Sequence, residues 1–359
     1  MTTMQSTLYE TILGQPAAVR AVLEGAHASV EQAVAALTPA RRVFLAGTGT
    51  SSHAAMVGEH LLRFVGRDAY ATTNFDAVMY PRPLGAGDAF IAISHRGNKR
   101  YGAEALRQAR AAGLPVVGIA GQDASMEGVD ALIRTVPQER SATHTASYTA
   151  SLAALAMIAA AWGERAGTPT GPLQAALVDL PDHIAAVLAH EDAVRPVAAA
   201  LAERGRLVLM GAGPNAATAR EGALKVKESS YLVAEGFELE TALHGGLQAL
   251  APGDIAVVIA TDGPALERTA DLVRALDLLG AHLLIVADER AVSGLPASEG
   301  AATRTIIPYP AVPEALSPLL AVLPLQLLAA HTAALRGTDA DSFRRDDPLF
   351  ARVVASYAL

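Results

Sequence analysis

Three charged residues, Glu221, Lys225 and Glu228, stand four and then three positions apart in the segment Arg220-EGALKVKESSYLVAEG. If that segment is helical, the spacing puts all three on one face. A carboxylate beside an ammonium suits proton abstraction from carbon: the carboxylate takes the proton and the cation steadies the oxyanion that forms. The same stripe also fits an exposed ladder of ion pairs, each contributing roughly a few tenths of a kcal/mol. The apolar neighbours Ala223, Leu224 and Val226 leave little room for a wide polar face, which favours the chemical reading. Further on, His244 precedes Gly245-Gly246, and flanking glycines permit close approach of a ligand.

A second group of polar residues lies in two short loops. Thr48-Gly49-Thr50-Ser51-Ser52-His53 and Ser94-His95-Arg96-Gly97-Asn98-Lys99 each follow an apolar run and precede a helix-like stretch. Hydroxyls, cations and backbone N–H groups at a helix start are what an anion requires. Alone, Arg96 and Lys99 would read as a solvated charge pair; with the hydroxyl loop beside them, they read as half of an anion site. The Gly47-x-Gly49 spacing is not a dinucleotide fingerprint, because Ser52 stands where the third glycine would be.

The elements that must carry these loops occur twice. Arg42-VFLAGTGTSSHAA matches Arg206-LVLMGAGPNAATA, with Gly47 over Gly211 and Gly49 over Gly213, and the strand, turn, helix and strand that follow from Asp88 match those from Asp254. Apolar strand runs alternating with amphipathic helices predict an α/β fold of two tandem units. Each is a parallel sheet covered by helices on both faces, with its sites at the carboxyl ends of the strands. The copies differ where chemistry is expected. The second reads Ala260-Thr261-Asp262-Gly263-Pro264 in place of the basic loop, and Asp262 would repel an anion. The predicted boundaries are a helical segment over residues 1–40 covering the first domain, a first domain over 41–170, a second over 171–335, and a tail over 336–359. The linker is placed at the stretch Gly163 to Pro172 plus the helix after it.

Composition narrows the function classes. The 359 residues are 51% hydrophobic, carry a net charge of −8 and include no cysteine. Disulfides, thiolate nucleophiles and cysteine metal sites are excluded. No Lys/Arg run exceeds a pair, so no nucleic-acid partner is expected. The first fifteen residues do not read as a signal peptide. The apolar stretch Leu316 to Leu335 is interrupted by Pro318, Pro324, Gln326 and His331 and reads as a buried helix rather than a membrane span. A cytoplasmic protein without a membrane partner is expected.

Glu221-GALKVKESSYLVAEG with His244-Gly245, preceded by Gly211-Ala-Gly and followed by Val322-LPLQLLAAHTAALRGTDAD, resembles the double sugar-isomerase (SIS) domain family. That family includes the isomerase half of glucosamine-6-phosphate synthase, sugar-phosphate deaminases and fructosamine-6-phosphate deglycases. The likeness runs from Gln15-Pro16 to Asp341 and implies flavodoxin-like three-layer domains, a homodimer with its active site between protomers, no metal, no cofactor and open-chain chemistry on an anionic sugar. It implies Glu228 as the carboxylate moving a proton between C1 and C2, Lys225 as the helper at the enediolate, and Glu221 as the acid heading the helix. His244 would be the ring opener, supplied by the other subunit. Ser51 and Ser94 match phosphate-loop serines, and Thr145 a threonine closing the sugar pocket. Thr48, Gly49, Thr50, His95, Arg96, Asn98 and Lys99 complete the expected binding set.

The departures bear on substrate more than on reaction type. No glutaminase domain and no cysteine are present, so the synthase reaction is not expected. The phosphate loop is more cationic and less rich in hydroxyls than the family's, so the anion reads as a C6 phosphate or sulfonate. The carboxyl-terminal tail offers arginine, Arg344 among the binding candidates, but no lysine; Thr241 replaces an acid three residues before His244, with Glu240 one position further away. The leading expectation is aldose–ketose isomerisation through a cis-enediolate. Amine removal by a deaminase or deglycase, and a non-catalytic sugar-phosphate sensor, stand as alternatives.

Overall fold

The structure, a computed structural model, describes residues 6–97 and 99–357. The duplication read in the sequence appears as two five-stranded sheets. The first holds β1 (Arg42–Gly47), β2 (Asp68–Thr73), β3 (Asp88–Ser94), β4 (Val116–Ala120) and β5 (Ala131–Arg134). The second holds β6 (Arg206–Gly211), β7 (Val233–Glu238), β8 (Ile255–Ala260), β9 (His282–Asp288) and β10 (Thr303–Tyr309). Every pairing is parallel. The orders β2-β1-β3-β4-β5 and β7-β6-β8-β9-β10 are the same topology repeated. Strands such as Ile255–Ala260 are buried along their whole length, because helices cover both faces and both must be apolar.

This order reverses direction between β1 and β3, and again between β6 and β8. A crevice opens there at the carboxyl ends of the strands, where ligands of such sheets bind. Both loops singled out for an anion, Thr48–His53 and Ser94–Lys99, leave from that point of the first sheet. The turns are tight for the same reason in both copies. A Cβ on Gly47 would lie 2.3 Å from the Ser51 carbonyl, and one on Gly211 would lie 2.4 Å from the Asn215 carbonyl, since the helix turns straight back over the strand end.

The chain divides into two compact units. The first comprises Gly14–Glu139 and His144–Pro181. Helix Ala146–Arg165 runs through its core, and Gly58 brings the Thr50–Phe64 helix so close that a Cβ would meet Leu45 at 2.7 Å. The second comprises the segment ending at Leu13, Arg140–Thr143 and the residues from Asp182. Its core helix is Pro318–Arg336, buried from Pro318 to Ala333. Both core helices are apolar enough to pass for membrane spans by composition, yet nearly all of each is buried.

Two boundaries differ from those predicted. Helix Thr7–Leu13 belongs to the second unit, not to a cover over the first: Leu8 and Ile12 are buried there, and Asp341 accepts from the amides of Thr7 and Leu8 at 2.8 and 2.9 Å, satisfying the open helix end. The boundary predicted between residues 170 and 171 falls instead inside the helix after Pro172, which the expected linker includes. Gly171–Leu188 is one helix with Pro181 inside it, and the units part after that proline.

The glycine geometry yields a contrast. Gly211→Ala should destabilise the protein by about 1–3 kcal/mol through overpacking against backbone. Gly25→Ala, in a helix with nothing near its Cβ position, should add about 0.5 kcal/mol. Urea denaturation of both variants measures the difference.

Candidate active site

Glu221, Lys225 and Glu228 fall on helix Asn215–Ser230, which starts at the tight turn after β6. The helix is packed too closely to be a surface ladder. A Cβ on Gly222 would lie 2.7 Å from Leu325 of the core helix and 2.8 Å from Leu209 of β6. Glu221 and Lys225 are 0% and 1% exposed, while Glu228 keeps 15% of its side chain in contact with solvent. Lys225 Nζ donates to Glu228 Oε2 at 2.6 Å and stands 3.3 Å from Glu221 Oε1. Burial alone would lower the Lys225 pKa, but the Glu221 and Glu228 carboxylates outweigh it and hold the ammonium charged well above its usual range. The far end of the helix is anchored as well, with Thr338 Oγ1 and Arg336 Nε donating to the carbonyls of Ser229 and Ser230. Glu228 thus lies at the edge of a buried charge cluster, with Oε2 on the ammonium and part of its side chain open to solvent.

His244 ends the short helix Leu239–Leu243 that follows β7, and its side chain is 73% exposed. Its Nε2 pairs with Glu240 Oε1 at 2.9 Å. Arg268 grips the same carboxylate at 2.8 and 3.0 Å and, ahead of His244, holds its pKa below the usual range. Glu240, one helical turn before the histidine, is the acid that pairs with it, where Thr241 carries none.

In the first unit, Gly49 adopts φ 57° and ψ −127°, a conformation that glycine tolerates and side chains do not. It leads into Thr50 and Ser51 at the start of the Thr50–Phe64 helix. Thr48 Oγ1 accepts from Asn74 Nδ2 at 3.1 Å, and Ser52 Oγ donates to the Gly49 carbonyl at 2.7 Å. Across the switch point, Ser94 Oγ accepts from Gly97 N at 3.1 Å, Arg96 is exposed and Lys99 half-buried. Asn98 lies outside the described residues.

Three expected binding residues are committed elsewhere. The His95 ring turns inward: a Cβ on Gly121 would lie 2.8 Å from it, and its Nδ1 is buried without a hydrogen-bond partner among the described residues. Burial, then the neighbouring His144, push its pKa down to about 4, so it adds no cation to the loop at neutral pH. Thr145 is fully buried and its hydroxyl donates to Glu139 at 3.3 Å. Arg344 lies in the second unit, its guanidinium 4.9 Å from the Tyr231 ring and 3.6 Å from the Phe350 ring.

The second copy is closed to an anion, though not by the residue expected. Asp262 is turned toward Arg290, 3.4 Å away. The carboxylate of Glu314 sits at the switch point instead: its Oε1 accepts from Thr261 Oγ1 at 3.1 Å, and a Cβ on Gly263 would lie 2.9 Å from its Oε2.

Sequence reasoning passed over Glu139 and His144, which flank the start of the Ala146–Arg165 helix. An acid a few residues before a helix was the available signal, since a helix start favours negative charge. Glu139 Oε1 accepts from Ser147 N at 2.8 Å and Oε2 from Thr145 N at 2.9 Å. Burial would raise its pKa; His144, Ser147 and Thr145 reverse that and hold it at about 2.

A family model for the SIS domain matches residues 36–161 and 200–336. The isomerizing glutamine–fructose-6-phosphate aminotransferase of Pyrococcus horikoshii is 28% identical over 339 residues, covering 93% of this chain and 56% of the relative. That of Gloeobacter violaceus is 33% identical over 315 residues, covering 84% and 50%. The chain spans about half the length of the curated relatives it matches. Among solved structures, the C-terminal domain of glucosamine-fructose-6-phosphate aminotransferase from Francisella tularensis superposes with a TM-score of 0.87 at 20% identity, over 95% of this chain and 99% of that one. Tagatose-6-phosphate ketose/aldose isomerase from Escherichia coli gives 0.73 at 18% identity, over 96% of each chain. Glucosamine-6-phosphate deaminase from Thermotoga maritima gives 0.73 at 19%, over 94% and 97%. These likenesses bear out two tandem α/β domains of this fold.

Lys225→Met would leave two carboxylates on the buried stripe without their cation, and should cost about 3–5 kcal/mol of stability. Lys227→Met, on the exposed face of the same helix, should stay within about 0.5 kcal/mol. Chemical denaturation of the two variants makes the comparison.

Proposed function

The chain belongs to the SIS domain family, and on that premise we propose that it is an aldose–ketose isomerase acting on a hexose with an anionic group at C6. The observation that carries this reading is the Glu228 carboxylate held 2.6 Å from a buried ammonium. Glu228 takes the proton from C2 of the open-chain aldose, and the electron pair moves into a cis-enediolate whose charge Lys225 offsets. The hydroxyl proton passes from O2 to O1, and the proton held by Glu228 returns at C1 to give the ketose. No electrons leave the substrate, so the step needs no oxidant. A non-catalytic sensor would have no use for an ammonium buried between one closed carboxylate and one half-open one.

The anionic end is assigned to the loops at the first sheet's switch point, with Ser51, Ser94, Arg96 and backbone N–H groups as its holders. The relatives named above act on 6-phosphates of fructose, tagatose or glucosamine, which supports a C6 phosphate; a C6 sulfonate presents three oxygens with a smaller charge. His244, oriented by Glu240, opens the ring, and its high exposure suits a residue offered to a second copy in a homodimer. The same enolising base serves amine loss, the reaction named for the Thermotoga maritima neighbour. Ammonia release from 6-phosphorylated amino sugars separates the two chemistries.

Glu228→Gln keeps the shape of the side chain but cannot take a proton. It should abolish deuterium wash-in at C2 from heavy water while leaving ligand affinity within about threefold, roughly 0.65 kcal/mol; wild-type exchange in this variant would remove Glu228 as the base. Mixing inactive Glu228→Gln protomers with inactive His244→Ala protomers should recover part of the activity, since one mixed half-site would be whole. Verified mixed dimers that stay inactive would place both residues in the site of one chain.

A further inference from the structure

Glu228 stands in the last turn of its helix, Asn215–Ser230. The final carbonyls of a helix have no partner within it, so that turn frays unless something outside holds it. A common device is a glycine in the left-handed region just past the end. Three other helices of the second unit end on one: Gly205 at φ 74°, Gly280 at φ 77° and Gly337 at φ 66°. The helix of Glu228 ends instead on Tyr231, at φ 59° and ψ 22°. A side chain in that conformation crowds its own backbone, and such strain persists where surrounding contacts over-determine it.

Those contacts run to one segment of the chain. Tyr231 Oη donates to the Asp339 carbonyl at 2.7 Å. The Arg344 guanidinium lies against two rings, 4.9 Å from that of Tyr231 and 3.6 Å from that of Phe350. The turn that carries Arg344 is itself strained: Phe343 and Arg344 have φ of 58° and 57°, and with Tyr231 they make up the non-glycine residues of positive φ among the described residues. The same segment satisfies the open carbonyls, since Thr338 Oγ1 donates to that of Ser229 at 2.8 Å and Arg336 Nε to that of Ser230 at 3.1 Å. Three backbone outliers thus meet at one place, next to the turn that bears Glu228.

We propose that Tyr231 is a positioning residue for proton transfer: its ring and hydroxyl moor residues 336–347 against the last helical turn, and the mooring fixes where the Glu228 carboxylate stands. Lys225 holds that carboxylate from the buried side, at 2.6 Å, while the mooring holds the backbone from which it projects. Both constraints are needed, because a misplacement of about 1 Å is enough to slow a reaction severely. A glycine at position 231 would end the helix with less strain; it would leave the carboxyl-terminal segment without the ring and hydroxyl that bind it. This inference rests on the isomerase reading, with Glu228 as the base.

The test compares the full chain with Tyr231→Gly, Tyr231→Phe and Arg344→Leu. Two quantities are followed: deuterium wash-in at C2 of glucose 6-phosphate, galactose 6-phosphate and 6-sulfoglucose, and hydrogen exchange of the peptide covering Val226–Ser230. Glycine relieves the strained backbone while deleting the mooring, so a tyrosine that served stability alone could be replaced by it without loss of rate. Tyr231→Gly should instead stay folded by circular dichroism, lose about tenfold in kcat and keep KM within about threefold. Its Val226–Ser230 amides should exchange about tenfold faster, as expected of a turn that opens more often. Arg344→Leu should show the same pattern, and it carries the test should Tyr231→Gly not fold. Tyr231→Phe, which keeps the ring against Arg344, should recover most of the rate. The inference is overturned if the loss lies in KM alone, if the rate falls while the amides stay as protected as in the wild type, or if Tyr231→Phe is no faster than Tyr231→Gly. Wash-in at the wild-type rate in Tyr231→Gly overturns this inference and leaves the isomerase reading standing. A wild type that exchanges no deuterium at C2 of any of the three sugars overturns both.

Discussion

A single ammonium, Lys225 Nζ, is 1% exposed and shared by Glu221 and Glu228, and the second unit is arranged around the need to keep it so. Removing charges from water costs several kcal/mol per ion, and such a cluster persists only when geometry satisfies every member. The surroundings meet that demand. Gly222 lets the core helix approach without a side chain between them, and the helix end is tied by Thr338 and Arg336. The consequence is geometric: Glu228 is held against the ammonium at 2.6 Å and is only partly wet.

The duplication places two equivalent crevices in the chain, and their divergence follows from charge. Both turns need glycine for the same steric reason, and both sheets change direction at the same point. In the first copy that point presents Ser51, Ser94 and an exposed Arg96; in the second it receives the Glu314 carboxylate against Gly263 and Thr261. The first copy presents hydroxyls and a cation at that point, and the second a carboxylate. The helix after the second copy's turn carries the buried triad Glu221, Lys225 and Glu228.

The first unit relies on a different buried charge. Glu139 satisfies the open N–H groups of a long core helix and brings His144 and His95 together at its start. The two imidazoles then have different surroundings: His95 is pressed against Gly121 and kept neutral, while His144 stays partly exposed beside a carboxylate. Neither role follows from being a histidine.

Periodicity and repetition alone determined a good deal. The strand runs with their Gly-x-Gly turns, matched copy to copy, specify two parallel sheets of one topology, because fully apolar strands can only lie between helices and each turn needs glycine where the backbone crosses itself. The four-then-three spacing of Glu221, Lys225 and Glu228 specifies a shared helix face, since that depends only on the pitch of the helix. Tertiary structure decided whether the face is wet or buried, which rests on Leu325 and Leu209 closing over Gly222 from distant segments. It also decided that Thr7–Leu13 joins the second unit, through Asp341 more than three hundred residues away, and that Glu314 rather than Asp262 closes the second crevice. Residue type announces a charge; only the packing of remote segments fixes its partner, its solvent and so its chemistry, which is why His95 and Thr145 turned inward and Glu139 with His144 went unnoticed in the sequence.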